Sequence, residues 1–353
     1  MATGWPMKTT YANGDVYSAS DVNDITGTIN LLGSSVAYTA GKNKIINGDF
    51  SIWQRGTTFT SIATNTYSAD RWVVNKDKTA TITQQTFTAG TAPVSGYEGT
   101  YYFRQAISGG SYYALIQKIE DVRQLAGQTV TLSYWAKADA SVTNTAGWAQ
   151  NFGSGGSSQV SGYASNNTIT TSWQRFTATF SIPSISGKTI GTSSFFGIQP
   201  ILIQNATTHT IDIWGMQLEV GSTATAFQTA TGTIQGELAA CQRYYYRMTP
   251  LTTGDSFFGT GFAASSTSGL FVVTFPVTMR KQPTALEQSG TAADYRIRYS
   301  TGTNACSSVP TFDAAEPFTA FVNFTVSSGL TTGQAIVGRS GNTSGYLGWS
   351  AEL

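Results

Sequence analysis

Ionisable side chains are scarce in this sequence. Lys and Arg number 20, Asp and Glu 19 and His one, so charged residues make up 11% of the 353 positions and the net charge is +1. Globular domains usually devote about a quarter of their residues to charge. A balance this close to zero leaves no electropositive footprint for nucleic acid or an anionic membrane. Cysteine is scarcer still. Cys241 and Cys306 are too few for a disulfide framework and neither stands in a C-x-x-C pair, so two free buried thiols are expected. No stretch approaches the roughly 18 apolar residues of a spanning helix, and no membrane insertion is expected. The opening MATGWPMKTTYANGD holds one lysine and no apolar h-region. It reads as no signal peptide, and synthesis in a cytosol is expected. G-x-S-x-G, P-loop and H-E-x-x-H motifs are all missing.

Thr, Ser, Gly and Asn take the place of charge, while 40% hydrophobic and 12% aromatic residues supply a sizeable core. Thr suits a half-exposed strand, and Gly and Asn supply turns, so the expected class is mostly β. The length allows two or three domains.

Residues 1–17 show no periodicity. Trp5, Tyr11 and Val16 stand out as apolar anchors, which suits either a floppy terminus or a segment that orders on docking. Val22, Ile25, Ile29, Leu32 and Val36 then recur at 3-4-3-4 spacing. This is the a/d seam of a short coiled coil, and Ile there leans toward three or more strands. A single amphipathic helix on its own domain would carry the same stripe, and Gly27 and Gly33 weaken either helix. From residue 43 to about 228, runs such as QTVTLSYWAKA and SWQRFTATFSI alternate at period two between turns, the pattern of a β-sandwich of jelly-roll type. After the connector TATGTIQG, runs such as LFVVTFPVTM and FTAFVNFTV predict a second, smaller β-sandwich. The expected domains are therefore 1–40, 41–230 and 231–353.

At the junction stands GELAACQRYYYRM, residues 236–248. Read as a strand, it points Cys241, Arg243, Tyr245 and Arg247 one way and Gln242, Tyr244 and Tyr246 the other, which suits scaffolding between modules or subunits. A nucleophilic Cys241 would need a base, and the sole histidine, His209, sits in the polar turn NATTHT. A nucleic-acid platform would need a basic groove.

Several of these stretches resemble phage tail-fibre proteins. INGDFSIWQRG (46–56) followed by YSADRW (67–72) is similar to the opening of the carbohydrate-binding-module-like domain of such proteins, and IDIWGMQLEVGSTATAF (211–227) to its last strand. GELAACQRYYYRM resembles the following junction, and FPVTMRKQPT (275–284) the tip module. The N-terminal TYANGDVYSASDVND looks like an attachment segment. The resemblance implies a jelly-roll domain, a homotrimeric fibre located on the virion and adhesion to a bacterial surface polysaccharide. No cofactor is required by it. It also suggests a structural calcium near Asp49 and Asp212, with Glu219 as a further ligand, since calcium takes six to eight oxygens; turn or strand-end roles for these acids are the alternative.

Candidate glycan-stacking rings are Tyr97, Tyr101, Tyr102, Tyr112, Tyr113, Trp148 and Tyr163, with Tyr102, Tyr113 and Trp148 foremost. Alternation turns one ring of each Tyr pair outward, and Trp148 lies beside a Gly-rich loop; strand or trimer packing would use the same rings. Glu120 and Asp121 point to opposite strand faces and cannot act as paired catalytic acids. Asp70 and Arg71 read as a local structural pair. The sequence thus points to a non-enzymatic fibre protein that binds a phage structural protein by its N-terminus and a host glycan by its sandwich. A virion decoration protein without receptor binding, or a polysaccharide depolymerase, is the alternative.

Overall fold

The computed structural model describes residues 39–94, 97–250 and 256–353. Trp5, Tyr11, Val16 and the seam Val22, Ile25, Ile29, Leu32 and Val36 lie outside the described residues. Gly41–Leu353 forms one compact unit.

Two six-stranded antiparallel sheets build the sandwich. In spatial order the first contains Thr58–Phe59, Thr79–Thr86, Tyr101–Ser108, His209–Val220, Thr129–Ala138 and Gln174–Ser181. The second contains Val160–Tyr163, Gly147–Asn151, Phe195–Ile203, Tyr113–Glu120, Trp72–Lys76 and Thr66–Tyr67. The chain passes repeatedly from one sheet to the other, as in a jelly roll. The period-two alternation of the sequence sends Val130, Leu132, Tyr134 and Ala136 inward to meet Leu115, Ile198 and Ile203 of the opposite sheet in one core.

The INGDF stretch crosses the end of this core instead of extending a strand. Met216 N–H donates to Gly48 O at 2.8 Å, and a register shift in the strand His209–Val220 falls between Trp214 and Gln217. Gly215 occupies that bulge at φ +67°, and a Cβ there would lie 2.7 Å from the Trp135 ring. Only glycine meets both demands. Asn47 ties the motif to YSADRW: its amide donates to Ile52 O and Asp70 O and accepts from Ile52 N–H. Phe50 and Arg71 are both fully buried at left-handed φ angles of 56° and 72°, a conformation that costs such residues about 1–3 kcal/mol each and persists only where packing imposes it.

The junction differs from the expected strand. Ile234–Gln242 is an α-helix, N-capped by Thr233, whose hydroxyl accepts from Gly236 N–H. Only Tyr245–Met248 is extended, and it pairs with Leu347–Ser350. Leu238, Ala239 and Ala240 favour helix over the extended alternation expected there. Cys241 is wholly buried on that helix, and burial pushes its thiol well above the ordinary range, away from the reactive thiolate. Beyond the junction a seven-stranded antiparallel sheet and the three-stranded sheet of Tyr245–Met248, Leu347–Ser350 and Glu287–Gln288 share a second core around Phe271, Phe324, Tyr295 and Trp349.

Guanidinium groups hold the sandwich to the distal module. Arg71 ion-pairs with Glu352 and lies 3.4 Å from the Tyr244 ring centre. Arg55 lies 3.4 Å over Tyr245 and reaches Glu352 at 3.4 Å. Arg243 pairs with Glu120 at 3.0 Å, and Tyr244 donates to the same carboxylate. Within the distal module Arg280 donates to the backbone oxygens of Ala351 and Glu352 and so steadies the segment that carries the Glu352 carboxylate. Burial, the largest single influence, would depress the Arg71 guanidinium, but Glu352 together with Tyr67, Tyr244 and Cys241 outweighs it and leaves the group above its ordinary value.

Removing one member of a buried pair leaves the other charge uncompensated. Glu352→Ala is therefore expected to lose about 3–5 kcal/mol of unfolding free energy in urea titration, and Arg71→Met with Glu352→Leu to lose less. Asp70 offers a pH test. Burial pushes its carboxyl up to about 6, against the pull of Arg55 and of the Gln54 hydrogen bonds. An acid raised in the folded state contributes stability that is full below its unfolded pKa and is lost as pH rises through the folded one. Wild type measured against Asp70→Asn should lose up to about 3 kcal/mol between pH 4 and pH 7; a pH-independent difference would reject the shift.

Candidate functional site

Three adjacent strands of the first sheet, Tyr101–Ser108, His209–Val220 and Thr129–Ala138, turn Phe103, Ile211, Ile213, Leu132 and Ala136 into the core. Their intervening residues form two rows across the outer face. The first row is ionic, with Arg104 opposite Asp212 and Asp212 opposite Lys137. Arg104 donates to Asp212 from Nε at 2.6 Å and from Nη2 at 2.8 Å, and Lys137 Nζ stands 3.6 Å away. The hydrogen bond to Asp212 raises the Arg104 guanidinium above its ordinary value.

The second row is aromatic. Trp214 stands opposite Trp135 and is wholly buried beneath Phe87, Tyr97 and Phe227. Tyr102 and Trp173 edge this cluster and remain half-buried, meeting edge to face with ring centres 5.6 Å apart. Lys137 Nζ is 5.4 Å from the Trp173 ring centre and Arg104 is 5.7 Å from that of Tyr102. Partly open rings thus adjoin fixed N–H donors and a carboxylate. Such a surface can stack on the C–H face of a sugar while hydrogen-bonding its hydroxyls.

Tyr97 links this face to a cleft of about 710 Å³ lined by Asp49, Glu98, Tyr101, Thr233 and Glu237 among others. Glu237 is engaged on both oxygens: Oε1 accepts from the Thr231 N–H and hydroxyl, and Oε2 from Asn47 N–H. Burial pushes up the carboxyls of Glu237 and Asp49, against these bonds and those from Ser51. Burial, reinforced by the same two acids, pushes Tyr97 up to about 12. Glu237 is committed to holding its neighbouring loops, and Asp49 and Glu98 are the other carboxyls of the cleft.

Of the foremost ring candidates only Tyr102 is more than marginally exposed. Tyr113 is wholly buried, and Trp148 is 8% exposed, stacked on Phe196 and covered by Gly162. Neither can stack on a ligand in this chain. In SYYAL alternation requires one inward ring, and it is Tyr113, in the middle of the second sheet; Tyr112 is the half-buried one. Near Trp148 the small residue Gly147 lets Tyr163 pack close, and Tyr163 itself is the exposed ring. Tyr97 and Tyr101 line the cleft. Trp173 was missed, although its position on the Arg175–Thr177–Thr179 face of an alternating strand marks it as outward.

The acids suggested for calcium are each satisfied locally. Asp212 is held by two cations, Asp49 by Ser51, and Glu219 by Thr225, Gln217 and Lys42. Among the described residues no three His, Cys, Asp or Glu side chains gather, and the cations paired with Asp212 compete with a metal for its oxygens.

No protein-family model matches the chain, and no curated protein does. Solved structures give distant likenesses. The enzymatically active domain of tailspike protein 4 from bacteriophage CBA120 is 13% identical, with a TM-score of 0.30, over 46% of this chain and 21% of that one. The xylan-binding CBM22-1 domain of Paenibacillus barcinonensis is 11% identical, with a TM-score of 0.32, over 53% of this chain and 100% of that one. A Stig cyclase from Fischerella sp. is 13% identical, with a TM-score of 0.34, over 53% and 100%. A binding module and enzymes stand side by side in this set, so the function of this chain has to be argued from its own residues.

The two kinds of ring are separable by stability. Tyr113→Ala and Trp148→Ala should each lose about 3–5 kcal/mol in chemical denaturation. Tyr102→Ala and Trp173→Ala, on the outer face, should lose about 1–2 kcal/mol.

Proposed function

We propose that the chain is a non-enzymatic, self-associating fibre protein of a bacteriophage particle. Residues 1–17 join it to the virion, and the outer face of its first sheet recognises a host-surface polysaccharide. The observation that carries the glycan reading is the half-open Tyr102–Trp173 pair beside the ionic row of Arg104, Asp212 and Lys137. In a chain with so few charges, three of them converge on two partly exposed rings. Arg104, Asp212 and Lys137 are fixed by cross-strand register, so little ordering of them is needed on binding. Resemblance of the INGDF, YSADRW and GELAACQRYYYRM stretches to phage fibre proteins supports the virion assignment.

The test is binding of the full chain to host polysaccharide on a glycan array and adsorption to host cells. Tyr102→Ala and Trp173→Ala are each expected to weaken binding about 5–30-fold, a loss of about 1–2 kcal/mol, with a steeper fall in adsorption if several copies bind together. Folded variants that bind and adsorb like wild type would remove the outer face from the reading. Release of reducing ends from the polysaccharide would instead identify a depolymerase.

A further inference from the structure

The seven-stranded sheet of the distal module also has two faces. Its inward residues, among them Phe258, Phe271, Val273, Ile297, Val322, Phe324 and Ile336, fill the second core. Strand alternation leaves Phe262, Leu270, Val272, Phe321 and Val337 on the opposite side. They form one continuous surface, because Phe262 pairs with Leu270, Val272 with Phe321, and Thr260 with both Val272 and Val337. Phe257, Phe262 and Val272 are 60%, 50% and 41% exposed. These three, all on this sheet, are among the seven large hydrophobic residues exposed in the described chain. Isolated exposed apolar residues are ordinary, but a contiguous patch on a sheet marks an interaction surface.

Charge says what covers it. On the three strands Phe257–Ala263, Ser268–Thr274 and Thr319–Thr325 no residue is charged. To one side, the strand Tyr295–Tyr299 presents Arg296 and Arg298 outward, since Tyr295 and Ile297 face the core. At the far edge, the strand Thr311–Glu316 presents Glu316, opposite Thr319, and the exposed bulge residue Asp313. Among the described residues none of these four charges forms an ion pair. The face is therefore basic toward one edge, apolar in the middle and acidic at the other.

We propose that this face is an interface between copies of this chain, with the Arg296–Arg298 side of one copy meeting the Asp313–Glu316 edge of the next and the apolar centre buried between them. A surface with opposite charges at opposite edges is complementary to itself when the second copy is rotated about a two-fold axis that reverses the edges, the isologous contact of a two-fold pair. The inference rests on the self-association in the proposed function and names the surface that would provide it.

The test is sedimentation of the full chain over a dilution series. Phe262→Asp with Val272→Glu should raise the half-dissociation concentration at least tenfold. Arg296→Glu with Arg298→Glu should do the same, and adding Asp313→Arg and Glu316→Arg to that pair should restore assembly, because each copy then carries both edges reversed. All the replaced side chains point away from the core, and circular dichroism checks that the variants fold. A wild type that is monomeric throughout would overturn both this interface and the self-association reading. A wild type that assembles, with folded variants whose dissociation is unchanged, would overturn this interface alone. A charge-reversed variant not restored by the compensating pair would overturn the edge-to-edge arrangement.

Discussion

A buried cation must be neutralised, and the joint between the two modules is arranged around that demand. Arg71 is 1% exposed and sits in a left-handed backbone conformation that turns it toward the distal module. Its carboxylate partner, Glu352, lies 281 residues later. To bring the two together, the strand Leu347–Ser350 must be fixed, and Tyr245–Met248 fixes it by pairing along its whole length. That strand follows a helix whose Glu237 holds the INGDF crossing by accepting from Asn47 N–H. The Arg71–Glu352 pair, the triple tyrosine and the INGDF and ADRW stretches are thus parts of one construction. Its value lies less in net energy than in specifying one relative placement of two cores, since buried pairs seldom exceed well-packed apolar residues in stability.

The sandwich treats its few charges differently. In the joint Arg71, Arg55 and Glu352 are largely buried and paired across modules. On the outer face of the first sheet two partly exposed cations, Arg104 and Lys137, are paired across strands with a buried Asp212, beside rings that also keep open surface. An ion pair at this depth leaves some hydrogen-bonding capacity on its cations, which a hydroxyl-rich ligand can use without first breaking the pair. The underlying aromatic layer of Trp214, Trp135, Phe87 and Phe227 holds Tyr102 and Trp173 in place. A core-like cluster outside the core is therefore the support of the candidate site.

Much of this was legible in the sequence. Period-two alternation and low charge gave the two-sheet sandwich, and the polar face containing Arg175, Thr177 and Thr179 already implied an outward Trp173. Tyr102 was read as an outward ring for the same reason. Burial of Tyr113 was not legible, because alternation says that one tyrosine of a pair faces inward without saying which sheet covers it. Trp148 was misread because a Gly-rich surrounding suggests openness, whereas Gly147 and Gly162 here permit close approach of other groups. The helix Ile234–Gln242 was hidden by the three tyrosines after it, whose β-propensity governs only residues 245–248. Nothing local in TIDIW shows that Arg104 and Lys137 will flank Asp212, a long-range pairing that bears on the calcium suggestion.

The separation of Arg71 from Glu352 has a consequence in time. A ribosome adding about 5–20 residues per second takes roughly 15–60 s to traverse it. Throughout that interval the sandwich's own strands can emerge and pair, yet Arg71 has no carboxylate from the distal module. The nascent sandwich must therefore either leave the ADRW turn open to water or carry an unneutralised charge until the last strand arrives. Closure of that turn becomes a late step in synthesis, coupled to completion of the second core, and a chain arrested before Glu352 would display the turn as an open, hydrated edge on an otherwise assembled sandwich.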